Sequence, residues 1–188
     1  LIIKYEKENG DDLELLIGMR MRDINWTPVY NIIMDGSNEL KFEGIAHIIN
    51  GSSAKFKNSK VSLIAGKPRE ERNIFLMRSK AAAPDMEAAG GWSSLFEYHM
   101  YNIPENIDLK PGRDQMYTIA ESENVEFSKK YIYERNRASQ VISEISFLNS
   151  ERNGLGIPLA SGTANIYRKN GALKFIGQDR VSDTPVDE

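Results

Sequence analysis

Asn-Gly dipeptides between alternating segments are the feature that most constrains the fold of this 188-residue chain. Four occur, at residues 9–10, 50–51, 153–154 and 170–171. Both residues accept the positive φ angles that a two-residue β-hairpin turn requires. The first and last of these pairs lie between runs that alternate apolar and polar residues, and so does Asp35-Gly36-Ser37-Asn38. The sequence therefore predicts three β-hairpins.

Short β-strand candidates occupy most of the chain. Alternation, or enrichment in β-branched and aromatic residues, marks them at 1–7, 13–22, 28–34, 39–50, 57–64, 74–77, 94–101, 106–109, 115–120, 125–134, 139–148, 163–168 and 173–181. No window of helical length shows a sustained apolar period of 3.6 residues. We therefore expect an all-β fold: one or more antiparallel β-sandwiches of about ten to twelve short strands with little helix.

An Ala- and Gly-rich segment, residues 79–91, divides the chain. It contains Pro84 and ends in Gly90-Gly91, a composition typical of a linker. We expect residues 1–188 to form a single all-β unit built from two halves, about 1–78 and 92–188, that this linker joins. Whether the halves share one core stays open at this point. The glycines from Gly154 to Gly162 predict a crossover loop that carries the chain into its last hairpin.

Composition excludes several classes of protein. The formal net charge is −3, so there is no basic excess of the kind that nucleic acid or an anionic membrane surface would require. No apolar run approaches the ~18 residues that a bilayer span needs. The absence of cysteine excludes disulfides, thiolate nucleophiles and Cys-ligated zinc. The chain starts without Met, directly in a strand-like run, and we expect it to be a piece of a longer protein.

The only two histidines, His47 and His99, each share a strand face with a glutamate. Glu43 lies on the face of His47, and Glu97 lies on the face of His99, because alternate residues of a strand point the same way. If the two strands paired, the four side chains could converge as metal ligands. Nothing in the sequence requires that pairing. Histidines that satisfy hydrogen bonds on half-buried faces are the commoner case, so we predict no metal site and no cofactor.

Catalytic motifs are missing as well. The sequence has no G-x-S-x-G elbow, and its glycine-rich loop forms neither a P-loop nor a G-x-G-x-x-G fingerprint. Tyr and Trp residues are spread over many predicted strands, and an aromatic face of this kind can bind sugars or peptides. Rings that fill the core and rim of a sandwich are the commoner use. We therefore predict no catalytic residues.

The chain resembles the C-terminal domain of mucoidy-inhibitor-A-like proteins, known as the domain of unknown function 4139 family. The motifs that carry the resemblance are WTPVY at 26–30, IAHIIN at 45–50, VSL at 61–63, FEYHMY at 96–101, LKPG at 109–112, KYIY at 130–133, GLGIPL at 154–159, SGT at 161–163 and FIG at 175–177. The resemblance implies a parent protein with an N-terminal β domain and a coiled coil, and a cell-envelope or secreted location if the source is bacterial. The family has no established activity, so it assigns no functional residue.

The function that these observations favour is a non-catalytic protein-interaction or structural module of a larger multidomain protein. Its partner would be another protein or another domain of the same parent chain, with no nucleic acid and no membrane insertion. Two alternatives remain open: a cell-surface carbohydrate-binding module, which the Tyr and Trp content suggests, and a hydrolase that uses His47 or His99 with a carboxylate.

Overall fold

The computed structural model describes residues 17–36, 38–65, 92–95, 98–133 and 141–188. These residues form twelve β-strands and a single three-residue 3-10 helix, Glu151–Asn153, which confirms the all-β prediction. The strands are β1 Ile24–Met34, β2 Glu39–Asn50, β3 Phe56–Ser59, β4 Ser62–Ala65, β5 Trp92–Leu95, β6 Tyr98–Asn102, β7 Ile107–Leu109, β8 Asp114–Glu126, β9 Ser128–Ile132, β10 Ile142–Ser146, β11 Gly162–Asn170 and β12 Ala172–Val181.

A five-stranded sheet in the order β12-β11-β1-β2-β8 organises the molecule. Its neighbouring strands are antiparallel except for β1 and β11, which run parallel from the Val29–Thr163 pair to the Met34–Arg168 pair. The sheet is therefore mixed, whereas we expected antiparallel pairing throughout. Parallel neighbours cannot be joined by a tight turn, so the chain must cross over the sheet before it enters β11.

The hairpin between β1 and β2 follows from the local sequence. Both strands alternate, and Gly36 in the turn has a φ of 103°, a left-handed conformation that glycine adopts without a Cβ penalty. Even-numbered residues of β1 and β2, such as Tyr30 and Phe42, are buried on one face of the sheet, here called the inner face. The opposite, outer face carries the odd-numbered residues, such as Asn31 and Glu43.

Three smaller sheets complete the described structure: β4-β6-β5, β3-β7 and the two-stranded ribbon β9-β10. The first two pack on the inner face, where Ile48 of β2 forms a buried cluster with Leu63, Tyr101 and Leu109. Residues from both sides of the 79–91 segment contribute to this cluster, so the described parts of the two halves share a hydrophobic core. The segment 79–91 itself lies outside the described residues.

A second buried cluster continues along the same inner face. Tyr30 and Phe42 stack at a ring-centroid distance of 5.5 Å, and Phe42 meets Phe147 edge-on at 6.0 Å. Val125 and Leu159 are buried in the same cluster. Phe42 is 0% exposed, and burying a side chain of this size stabilises a fold by roughly 1.5–3 kcal/mol. The cluster therefore fixes residues 147–161 over the sheet.

The crossover into β11 is built from these residues. Ser150 caps the 3-10 helix, and Gly154 ends it with a φ of 77°. Leu159 then pairs with Thr184 in an isolated bridge, so the segment after β12 returns to the crossover. The chain enters β11 at Gly162, where a Cβ atom would overlap the carbonyl oxygen of Pro28 and lie 2.9 Å from its Cγ atom. As the sequence predicted, residues 154–162 carry the chain into its final hairpin.

Two of the three predicted hairpins are confirmed. The turn at 35–38 joins β1 to β2, and the turn at 170–171 joins β11 to β12. The hairpin at 9–10 and the strand candidates 1–7 and 74–77 lie outside the described residues. Of the candidate 13–22, residues 13–16 also lie outside, and residues 17–22 form no strand.

Three predicted strand boundaries are wrong. The candidate 57–64 is two strands, β3 and β4, which belong to different sheets. The candidate 94–101 is also two strands, β5 and β6, which pair with each other. By contrast, the candidate 115–120 and the first two residues of the candidate 125–134 belong to one strand, β8, and β9 begins at Ser128. The polar residues at 121–124 do not end β8, because it is an edge strand that pairs along most of its length with β2. In each case the boundary depends on which partner strand is available, and that is not a local property.

Gly162→Ala should destabilise the fold, because its Cβ would meet the backbone of Pro28. We expect a loss of about 1–3 kcal/mol in the free energy of unfolding, measured by urea denaturation. Gly177→Ala on the neighbouring strand is the matched control, since no atom lies within 4 Å of its Cβ position. Equal effects of the two substitutions would contradict the close approach of β11 to β1.

Candidate functional site

The four metal-ligand candidates do not come together. His47 and Glu43 lie on the outer face of β2, where His47 Nδ1 is 3.5 Å from Asp114 Oδ2. His99 lies on β6, and Glu97 falls outside the described residues. Because β2 pairs with β1 and β8, while β6 pairs with β4 and β5, the described sheets do not contain the strand pairing that would join the two histidines.

Both histidines are half-buried, and they differ in their contacts. The His99 Nδ1 atom is buried, and no hydrogen-bond partner for it lies among the described residues. In that same part of the chain, no group of three or more His, Asp or Glu side chains is arranged to hold a metal ion. The histidines that the structure describes are thus placed separately, one on each of two sheets.

A chain of polar side chains crosses the outer face, and we call it the polar row: Gln178, Asn165, Asn31 and Glu43. The Gln178 amide donates to Asn165 Oδ1 at 3.2 Å, and Asn165 Nδ2 donates to Asn31 Oδ1 at 3.3 Å. Asn31 Nδ2 then donates to Glu43 Oε2 at 3.5 Å. Each residue belongs to a different strand and is register-paired with the next, so the polar row links β12, β11, β1 and β2 side by side.

Lys41 extends this network to the edge strand β8. Its Nζ atom lies 3.2 Å from Glu43, 2.8 Å from Glu121 and 2.7 Å from Glu123. Hydrogen bonds to Glu121 and then to Glu123 and Glu43 raise the pKa of Lys41 well above its ordinary value. One ammonium thus neutralises part of the repulsion among three carboxylates that the strand register places together. Because three carboxylates share one ammonium, this part of β2 and β8 keeps a net negative charge.

Two buried tyrosines connect the sheets to the crossover. The Tyr30 hydroxyl donates to the carbonyl oxygen of Ala160, and the Tyr101 hydroxyl donates to that of Pro158, both at 2.7 Å. Burial raises the pKa of Tyr101 to about 12, and burial together with the neighbouring Tyr101 raises the pKa of Tyr30 well above its ordinary value. Both hydroxyls therefore stay neutral and act as structural donors at physiological pH.

A groove of about 580 Å³ lies between the base of the β9-β10 ribbon and the 3-10 helix. Asn153 organises one wall: its Oδ1 atom accepts from the Glu126 amide at 2.8 Å, and its Nδ2 atom donates to Leu148 at 3.0 Å. Serine hydroxyls are present, but the described lining contains no histidine that could activate them. The described lining of the groove therefore offers no Ser-His pair.

A second cavity, of about 370 Å³, lies beside Trp26 and includes Asp183 and Ser161. Trp26 Nε1 donates to the carbonyl oxygen of Ile64 at 3.1 Å, and its ring meets Tyr101 edge-on at 5.7 Å. Asp183 Oδ1 accepts from the Ser161 amide at 2.8 Å. The indole N–H of Trp26 is thus used in a hydrogen bond and its ring packs against Tyr101, which does not favour Trp26 as a stacking surface for a sugar.

An exposed apolar group lies on β12. Within the described residues this ten-residue strand pairs only with β11. Leu173, Phe175 and Ile176 are 53%, 59% and 54% exposed, although leucine, phenylalanine and isoleucine are among the residues most often buried. The Phe175 ring meets Tyr167 edge-on at 5.7 Å, with a 70° angle between the ring planes. An exposed apolar group beside an unpaired strand edge is typical of a protein-binding surface.

Sequence reasoning missed this edge and the polar row. The signals were two asparagines with apolar neighbours on both sides, Asn31 and Asn165, and three large apolar residues in a charged strand, Leu173, Phe175 and Ile176. Both features become visible only when the strand order is known. Of the predicted aromatic residues, Tyr30 and Tyr101 are buried, whereas Tyr131 and Tyr133 are 68% and 64% exposed at the ribbon.

Comparison with protein-family models gave no match, and comparisons with curated proteins and with solved structures gave no significant match. In the described part of the chain, no helix is long and apolar enough to cross a membrane.

The buried tyrosines predict a specific loss of stability at alkaline pH. Because the pKa of Tyr101 is about 12 in the folded protein and about 10 when unfolded, the unfolded chain holds fewer protons between these values. Stability should therefore fall as pH rises from 10 to 12, by up to about 1.4 kcal/mol per pH unit for this one residue. Tyr101→Phe should flatten the fall, measured by urea denaturation over that range.

Tyr131→Phe is the control, because the Tyr131 ring is 68% exposed. It should leave the pH profile of stability unchanged. Parallel profiles for wild type and Tyr101→Phe would contradict the placement of that hydroxyl in the core.

Proposed function

We propose that this chain is a non-catalytic protein-interaction module of a larger multidomain protein, and that its β12 edge is the binding surface. One observation carries the proposal: β12 leaves a long backbone edge unpaired by any other described strand and presents three apolar side chains beside it. A partner that adds a strand gains main-chain hydrogen bonds from the edge and side-chain contacts from the apolar group. The β12 edge offers both the hydrogen bonds and the apolar contacts.

The resemblance to the domain of unknown function 4139 family supports the same proposal. Such a domain would be one part of a protein with an N-terminal β domain and a coiled coil, at the cell envelope if the source is bacterial. Modules in multidomain proteins commonly contact other domains of the parent or a separate protein. The proposed partner is therefore a polypeptide strand, supplied by another protein, which can be a second copy of the parent, or by another domain of the parent chain.

Carbohydrate binding, the first alternative, has weaker support. Among the described side chains, the most exposed rings lie in two separate places, with Tyr131 and Tyr133 at the ribbon and Phe175 on β12. Lys129 Nζ already lies over one face of the Tyr131 ring, 4.8 Å from its centroid. The 70° angle between Tyr167 and Phe175 leaves no coplanar pair of rings on which a sugar could stack. A glycan array with reproducible binding would reverse this preference.

A hydrolase that uses His47 or His99 is the second alternative. A catalytic histidine needs a nucleophile within hydrogen-bond reach, about 2.6–3.2 Å. His47 lies near a carboxylate, Asp114, at 3.5 Å, and His99 Nδ1 has no described partner. Hydrolysis that is lost in both His47→Ala and His99→Ala, with folding retained, would favour this alternative over the interaction module.

The direct test is co-purification from the source cells of tagged full-length parent protein that carries changes at β12. Leu173→Ser with Phe175→Ser removes exposed apolar contacts without touching a described core residue. We expect recovery of a stoichiometric partner to fall about tenfold, which corresponds to the loss of roughly two such contacts. Circular dichroism and the melting temperature should stay close to those of wild type.

Met116→Ser on β8 is the matched control, since this side chain is 64% exposed at the opposite edge of the sheet. It should leave recovery unchanged. The proposal fails if the β12 variant and this control retain the partner equally, or if the wild-type parent recovers no partner, including a copy of itself.

A further inference from the structure

We propose that the strand added to β12 is the β12 of a second copy of this chain, related by a two-fold axis perpendicular to the sheet. This inference rests on the proposed function and names its partner. It follows from three properties of β12: the direction of a backbone donor, the position of a β-bulge, and the placement of two opposite charges.

The free edge of β12 carries a backbone donor that β11 does not use. The Arg180 amide N–H donates to its neighbour's side chain, Asp179 Oδ1, at 2.7 Å. Backbone groups of an antiparallel strand alternate between its two edges. Since Arg180 is directed away from β11, Gln178 is directed to the free edge as well. A carbonyl oxygen from an added strand would replace the Asp179 carboxylate at Arg180 and release that carboxylate for another contact.

A bulge near the middle of β12 makes its side-chain pattern symmetric. Ile166 pairs with Gly177 and Tyr167 pairs with Phe175, so Ile176 is an extra residue in the ladder. Residues that pair across an antiparallel ladder point to the same face of the sheet. After the bulge, the outer-face residues of β12 are therefore Gln178 and Arg180, and before it they are Leu173 and Phe175, because all four pair with odd-numbered residues of β11. Read from either end, β12 therefore presents the same order of outer-face and inner-face positions.

This symmetry fixes the register in which two β12 strands pair along their full length. Leu173 lies opposite Arg180 of the second copy, and Phe175 lies opposite Gln178 of the second copy, all on outer faces. A shift by one residue would place outer-face residues against inner-face residues. In the register that matches faces, the two copies of the five-stranded sheet join into one continuous antiparallel edge-to-edge sheet, an isologous contact of the commonest symmetry class.

The same register places opposite charges together on the inner face. Lys174 pairs with Arg168 and Asp179 pairs with Ala164 within one chain, so both point to the inner face. Across the two-fold axis, Lys174 stands opposite Asp179 of the second copy, and symmetry repeats the pair. Directly opposed unlike charges favour a strand pair, whereas like charges in those positions oppose it. The charge pattern thus selects a second copy in this register.

The contact also accounts for the exposed side chains. The alkyl stem of Arg180 in the second copy can cover Leu173, and its guanidinium lies diagonally across from the Phe175 ring, within reach of a cation–π contact. Leu173 and Phe175, which are more than half exposed in one chain, would thereby be covered in the pair.

A double cysteine variant tests the register directly. The natural sequence has no cysteine, so Lys174→Cys/Asp179→Cys introduces the only thiols. In the proposed pair each new thiol lies opposite one from the second copy, at a non-hydrogen-bonded position where Cα atoms are about 4.5 Å apart, which suits a disulfide. The two positions are too far apart along one strand to bond within a chain, about 17 Å at 3.4 Å per residue.

Under mild oxidation, the double variant should run mainly as a disulfide-linked dimer on a non-reducing gel. Each single variant should give about tenfold less, because its thiol faces Asp179 or Lys174 rather than another thiol. Equal cross-linking in the double and single variants would overturn the register.

Charge exchange tests the same pair without cross-linking. Lys174→Asp and Asp179→Lys should each weaken dimerisation about fivefold, and the combined exchange should restore it, measured by sedimentation velocity over a concentration series. Circular dichroism verifies that each variant folds. No dimer in any of these proteins, together with no cross-link, overturns the second copy as partner.

The same measurements separate this inference from the proposed function. If β12 variants still lose a different protein in co-purification while no dimer forms, the interaction module stands and the second copy is wrong. Binding to anionic vesicles that Lys174→Asp abolishes, with no dimer, would replace the second copy by a lipid surface.

Discussion

The parallel pairing of β1 with β11 is the interaction on which the rest of the described structure depends. It joins Ile24–Met34 to Gly162–Asn170, and paired residues such as Asn31 and Asn165 are 134 positions apart along the chain. A parallel pair requires a crossover, and here the crossover runs across the inner face of the sheet. Residues 147–161 therefore serve both as the connection and as part of the cover over the second hydrophobic cluster.

The two faces of the central sheet are stabilised by different contacts around that pairing. On the inner face, Tyr30 and Tyr101 anchor the crossover, because their hydroxyl groups donate hydrogen bonds to its carbonyl oxygens at Ala160 and Pro158. On the outer face, the polar row and Lys41 link the strands laterally, and no other described strand packs over them. The inner face is thus apolar and buried, whereas the outer face carries hydrogen-bonded polar side chains. This is the usual arrangement when most strand pairs are antiparallel.

The parts of the fold that could be predicted are those set by neighbouring residues. Gly36 and Gly171 adopt the positive φ angles that their turns require, and the strands beside them follow from alternation. The parallel pairing, the division of 94–101 into β5 and β6, and the continuity of β8 depend on distant partners and were not predictable. The candidate site shows the same limit. Alternation placed His47 and Glu43 on one face correctly, but strand order puts His99 on another sheet and places the exposed edge at β12.

Native-state hydrogen exchange of individual backbone amides tests the central claim most directly. If β1 and β11 form one cooperative unit, their amides should exchange with the same high free energy of opening, close to that of global unfolding, while those of the β9-β10 ribbon exchange at lower values. Amides of β11 that open at a much lower free energy than those of β1 and β2 would contradict the account. They would show that the crossover and the last hairpin dock on a fold that is already complete without them.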